Sequence, residues 1–153
     1  MRDTARLVAA FLTLALAAGV APASVEGTRA AAPQAEHTTV WDGVYTDDQA
    51  TRGQRVYEQE CAQCHLDDLM GDGIAPSLIG SSFFFRWSDL SVGDMYVAIR
   101  TTMPQGAPAS LSPAGYADIS AYLLQMNKVP SGDTELPTDN DDLGDITITE
   151  PAQ

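Results

Sequence analysis

The chain of 153 residues has little cysteine and little histidine, two of each. A structural zinc site wants four ligands, so that reading is short of donors, and His37 sits in a polar stretch far from the cysteines. Basic residues are also scarce. Eight Lys and Arg face 21 Asp and Glu, for a net charge of −13. That balance argues against nucleic acid and an anionic membrane surface as partners, because both would repel it. It fits a partner with a basic docking face. It fits plain solubility equally well. No apolar run reaches the roughly 20 residues of a spanning helix. The longest, residues 7–21, is flanked by Arg2 and Arg6, carries no charge, and is stopped by Pro22. With Ala21-Pro22-Ala23 behind it, it reads as a signal peptide over 1–23, cleaved after Ala23. An uncleaved anchor is the alternative. No βαβ pattern is present, which removes the usual setting of a thioredoxin-like dithiol.

What the chain does have is Cys61-Ala62-Gln63-Cys64-His65. On a helix, positions i, i+3 and i+4 share one face. An ordinary disulfide at that spacing would be strained. The pattern reads instead as covalent attachment of a c-type haem: two thiols for two thioether bonds, and the His65 imidazole as the proximal iron ligand.

Around the motif, the chain falls into segments. Residues 24–40 read as an Ala/Pro-rich linker, in which His37 is simply solvated. Thr46-Asp47-Asp48-Gln49 is a capping box that opens a helix over about 47–61, with Gln49 reaching back to the cap. Ala50, Gly53 and Tyr57 form its apolar stripe, and Gly53 marks the crossing point with a second helix. Residues 66–80 are turns. The Pro76 carbonyl is the candidate acceptor for the His65 Nδ1 proton.

Phe83-Phe84-Phe85-Arg86-Trp87 is expected to pack mostly in the core. Trp87, Arg86 and Arg100 are candidates for haem propionates; surface positions are the alternative for each. Ser91 and Asp94 cap a helix running to about Thr101. Met103, placed on a loop by Pro104, is the distal-ligand candidate. The other methionines fit worse. Met1 leaves with the signal, Met70 is too near His65, and Met95 and Met126 lie on helical stripes. Ser112 and Pro113 open the last helix, whose stripe is Tyr116, Ile119, Ser120, Leu123 and Leu124. Residues 131–153 hold seven acidic residues and no basic one. They read as a disordered tail, with a strand-like stretch at 145–149 that would add to a partner's sheet.

In order and spacing, these motifs resemble a class I, single-haem cytochrome c. They are Gln49-Ala50-Thr51-Arg52-Gly53 with Tyr57, the Cys-Ala-Gln-Cys-His run, Ala75-Pro76-Ser77-Leu78, Thr102-Met103-Pro104, Ser110-Leu111-Ser112 and Asp118-Ile119-Ser120-Ala121-Tyr122-Leu123. The chain looks most like the small cytochromes that accompany periplasmic quinoprotein dehydrogenases. The resemblance implies an all-α cytochrome c fold over 41–130. Four to five short helices would surround one covalently held haem c. The first and last helices would cross near Gly53, with Tyr122 packed there. It implies axial ligation by His65 and Met103, export to the periplasm, and an electron carrier rather than an enzyme. The expected partners are redox proteins: a dehydrogenase, and a downstream cytochrome or oxidase. Two departures are Ala75, where glycine is common, and Leu66, where glycine usually follows the histidine. A gas-binding sensor or peroxidase-like enzyme is the alternative function. It needs an open sixth position, and no distal His or Arg accompanies Met103. A domain of about ninety residues is small for an apolar core of its own, so the haem-free protein is expected to fold poorly.

Overall fold

Thr46 stops the chain entering from the N-terminal side and starts α1, Asp47–Glu60, in a computed structural model that describes residues 38–152. The expected signal peptide, most of the linker and His37 lie outside the described residues. Thr46 is extended, and its hydroxyl accepts the Gln49 amide at 3.1 Å. Asp47 and Asp48 fill the first turn, where the helix dipole favours negative charge. α2, Ala62–His65, follows almost without a break. α3 covers Ser81–Trp87 and α4 covers Val92–Thr102. Ser91 and Asp94 form a complete capping box on α4. α5, Pro113–Met126, is capped by the Ser112 hydroxyl, with proline at its start where a missing amide costs nothing. The described residues form a helix-dominated fold, with five α-helices over 41–130, as expected, and a sixth beyond them.

α1 and α5 cross at Gly53. A Cβ built there would overlap the Asp118 carbonyl oxygen and lie 2.9 Å from the Tyr122 Cβ. Only glycine lets the two backbones come so close. Tyr122 packs on Tyr57 beside the crossing, with ring centroids 5.3 Å apart. Arg52 then ties the pair together. Its guanidinium donates two bonds to Asp118 at 2.9 and 3.1 Å and two to Glu135 at 2.7 and 2.9 Å. Paired carboxylates of this geometry match the fork of the guanidinium.

Two expectations need correction. The C-terminal segment is not a disordered tail. Leu136, Leu143, Ile146 and Ile148 are buried, α6 forms over Asn140–Gly144, and β2, Ile146–Thr147, pairs parallel with β1, Thr38–Thr39. Seven acids sit on its outer face, and its few apolar residues point inward; average composition hides that division. The strand-like stretch therefore pairs within its own chain. Residues 38–40, expected in the linker, belong to the packed region too: Val40 is fully buried. Second, Gln49 does not reach back to the cap. It is buried and exchanges two hydrogen bonds with the Leu136 backbone, at 2.8 and 3.1 Å. The aromatic run packs mostly in the core, as expected: Phe83 is buried and Phe84 and Trp87 pack against the core, while Phe85 is 94% exposed. Successive residues on a helix point about 100° apart, so neighbours cannot share one inward face.

Candidate haem-binding site

α1 ends at Glu60, and a tight turn at Cys61 starts α2. The Cys64 and His65 amides both donate to the Cys61 carbonyl, at 3.1 and 2.9 Å. His65 is buried, and its Nδ1 lies 3.0 Å from the Pro76 carbonyl oxygen. A carbonyl can only accept, so the shared proton sits on Nδ1. In the neutral ring Nε2 then keeps a free lone pair, as metal ligation requires.

The loop that delivers Pro76 is built from short-range bonds. Asp72 accepts the amides of Ile74 and Ala75 at 2.9 and 2.8 Å, and these bonds hold its carboxyl below the usual range. Gly71 has φ +73°, and a Cβ there would overlap the Ala75 carbonyl oxygen. Leu66, just after the histidine, has φ +63° and ψ 162°. That region is strained for any residue with a side chain, which gives a physical reason for glycine at this position. The Tyr57 hydroxyl donates to the Leu66 carbonyl at 2.7 Å and steadies the turn.

A cavity of about 860 Å³ opens beside the motif. Cys61, Cys64, His65, Pro76, Arg86, Trp87 and Met103 all line it. Leu78, Phe83, Ile99, Ile119 and Leu123 supply much of its apolar wall. Its size falls in the range of cofactor sites, and its few polar groups converge on an apolar surround. Two thiols, one imidazole and one thioether on such a wall fit a haem. Arg86 stacks over the Trp87 ring, 5.0 Å from its centroid. Arg100 is exposed and is not among the lining residues, so the structure does not bring it to the cavity.

Met103 caps α4 in an extended conformation, its amide donating to Ile99 at 2.8 Å. The buried Tyr116 donates its hydroxyl to the Met103 carbonyl at 2.9 Å. Sequence reasoning placed Tyr116 on an apolar stripe and missed this second use. Asn127, which caps the end of α5, also does more than stop the helix. The Asn127 side chain accepts the Gly80 amide at 2.8 Å and donates to Leu78 at 3.0 Å and Leu123 at 2.8 Å, tying the cavity wall to α5. A buried amide needs several partners, so an asparagine inside an apolar stretch was the available signal.

Two other chemistries fit poorly. Burial pushes the Cys61 thiol up to about 11, so it stays protonated at neutral pH. A dithiol reductase needs the reverse, a lowered thiol. Among the described residues, no group of three or more His, Cys, Asp or Glu side chains is placed to hold a metal ion. Nor, among them, is any helix long and apolar enough to cross a membrane.

The family model described as cytochrome c oxidase, cbb3-type, subunit III matches residues 48–123. A search of curated proteins found no match. Among solved structures, the chain is similar to the sulfane dehydrogenase SoxCD from Paracoccus pantotrophus. The identity is 21%, the TM-score 0.49, and the match covers 80% of this chain and 68% of that one. The matched span runs from the first turn of α1 into the last turn of α5, and so contains the Cys-Ala-Gln-Cys-His run, Pro76 and Met103; the chain belongs to the class I single-haem cytochromes c.

Proposed function

We propose that the protein is an exported, periplasmic one-electron carrier that runs between a dehydrogenase and a downstream cytochrome or oxidase. In this reading Cys61 and Cys64 supply the thioether bonds of a single haem c. His65 and Met103 would hold its iron. When bound, the group supplies ferric–ferrous cycling. The protein's own part is to bind, orient and exclude water. The Pro76 carbonyl fixes the His65 ring and its tautomer. Tyr116 fixes the backbone of Met103. Leu78, Phe83, Ile119 and Leu123 keep the surroundings apolar, which favours the less charged state of the site. Arg86 and Trp87, at the cavity wall, would pair with the propionates.

One observation carries this reading. An imidazole with its Nε2 lone pair free and a methionine line the same apolar cavity, so the chain itself would supply both ligands to the iron. With both supplied, no iron position would remain for a substrate, which is what would separate a carrier from a sensor or a peroxidase-like enzyme. The donor, a quinoprotein dehydrogenase in the simplest case, would meet a strongly acidic surface. Transfer should then slow as salt rises, through screening of the attraction.

The test is the visible spectrum of the purified protein. Reduction should give the sharp bands of a low-spin cytochrome c, and carbon monoxide should bind the ferrous form slowly. Rapid carbon monoxide binding would assign an open sixth position and overturn the carrier reading.

A further inference from the structure

α4 matters to the site because its last turn delivers Met103, yet little of what holds α4 in place comes from the haem-facing half. Its C-terminal end is held by α5. The Tyr116 hydroxyl bonds to Met103, and the Tyr96 and Tyr116 rings meet edge to face at 6.2 Å. Its N-terminal end is held by the C-terminal segment. Just before the helix, the Asp89 amide donates to the Ile148 carbonyl at 2.8 Å, and the Ile148 amide donates back to Leu90 at 2.8 Å. Ser91 bridges Thr147 in antiparallel fashion. Within the first turn, Gly93 packs directly on α6. A Cβ there would lie 2.9 Å from the Gly144 amide nitrogen and 3.1 Å from the Asn140 carbonyl oxygen. α4 packs more extensively against α6 than against α5.

The same segment has a second, separate anchorage on α1. There Gln49 binds the Leu136 backbone, and Arg52 binds Glu135. The two anchorages lie on different helices and are divided by the exposed stretch around Thr138. The α1 anchorage serves the helix crossing. The α4 anchorage bears on the helix that carries the distal-ligand candidate.

We propose that residues 139–149 act as a brace that positions α4, and through it holds the Met103 thioether on the haem iron. This rests on Met103 being the distal ligand. Departure of that sulfur is a local opening of the α4–loop region, and local opening is governed by the contacts that fix the element. Loosening the brace raises the open population. An external ligand that binds only the open form then binds faster in proportion.

The experiment uses the haem-loaded full chain and carbon monoxide as the probe, with stopped-flow binding to the ferrous form. Gly93→Val pries α6 from α4, and Leu143→Ala removes the buried side chain of α6. Gln49→Ala loosens the segment on α1 only. Both α4-side variants should bind carbon monoxide about tenfold faster or more, the scale expected when a few brace contacts are lost. They should also weaken the long-wavelength sulfur-to-iron charge-transfer band of the ferric form. Gln49→Ala should lower the melting temperature and leave the binding rate within about twofold of the parent. If Gly93→Val does not fold, Leu143→Ala decides alone. Unchanged rates in the α4-side variants that fold, or an equal rise in Gln49→Ala, would overturn the brace. A parent protein that carries haem but binds carbon monoxide rapidly would instead remove Met103 as ligand, and the brace with it.

Discussion

α5 is buried from Tyr116 to Leu124, but its two sides meet opposite surroundings. On one side it crosses α1 so tightly that only glycine fits at position 53. On the other side, Ile119 and Leu123 face a cavity of about 860 Å³. The crossing is complete within the polypeptide, built from interlocked side chains, an Arg52 double fork and the Gln49 bonds to the C-terminal segment. The cavity side would take its packing from the proposed haem, since an apolar wall of that size gains contacts and sheds water when a group fills it. One half of the domain is therefore held by the chain's own packing, and the other would pack against a bound group.

That contrast can be strained from either side. The largest effect should come from Gly53→Val. The added atoms meet backbone at Asp118, which cannot move aside, so the cost should be about 3 kcal/mol or more by overpacking. Denaturant unfolding of the haem-loaded protein measures it; a loss under about 1 kcal/mol would mean that the crossing is looser than drawn. Leu136→Ala comes next. This residue is 3% exposed, and its truncation should cost about 2 to 3 kcal/mol. A neutral result would return the C-terminal segment to the status of a tail.

Acid should act on the same side. Arg52 holds the Glu135 carboxyl below its usual 4.5. The caps and turns at Thr39 and Ser91 likewise hold Asp42 and Asp94 below 3.8. A carboxyl depressed in the folded state takes up protons more readily when the chain unfolds. Its contribution is therefore full above the unfolded value and is lost as pH falls through the folded one. The melting temperature should be level near neutrality and fall below about pH 4.5. The fall should be shallower in Glu135→Gln.

The smallest effect belongs to the cavity side. Leu66→Gly should relieve the strain of a positive φ and add about 0.5 to 1 kcal/mol, after the entropy glycine loses on folding. A destabilised variant would show that the leucine side chain contributes more by packing than its backbone costs.

How much could be read in advance follows the same division. Features set by one residue and its near neighbours were legible. Thr46, Ser91 and Ser112 cap helices as their types require, and Gly53 marks a crossing because a helix keeps a costly glycine for a reason. The expected Pro76 acceptor lies within reach of His65. Features set by distant partners were not legible. Gln49 has the look of a capping residue, and only the arrival of Leu136, 87 positions later, gives its amide another use. The C-terminal segment looks disordered because acids outnumber its buried anchors. Phe85 looks like core because the run around it does. Arg100 looked close to the site because Met103 is close in sequence, but a helix surface turns it outward.

The central claim is that a porphyrin joined to Cys61 and Cys64 completes the apolar half of the fold. Intact-mass measurement of the protein made in a cell able to attach haem, followed by mapping of the peptide that spans residues 61–65, tests it directly. The account predicts the mass of the chain plus one haem, with the increment on that peptide. A folded, full-length product at the bare polypeptide mass would contradict it.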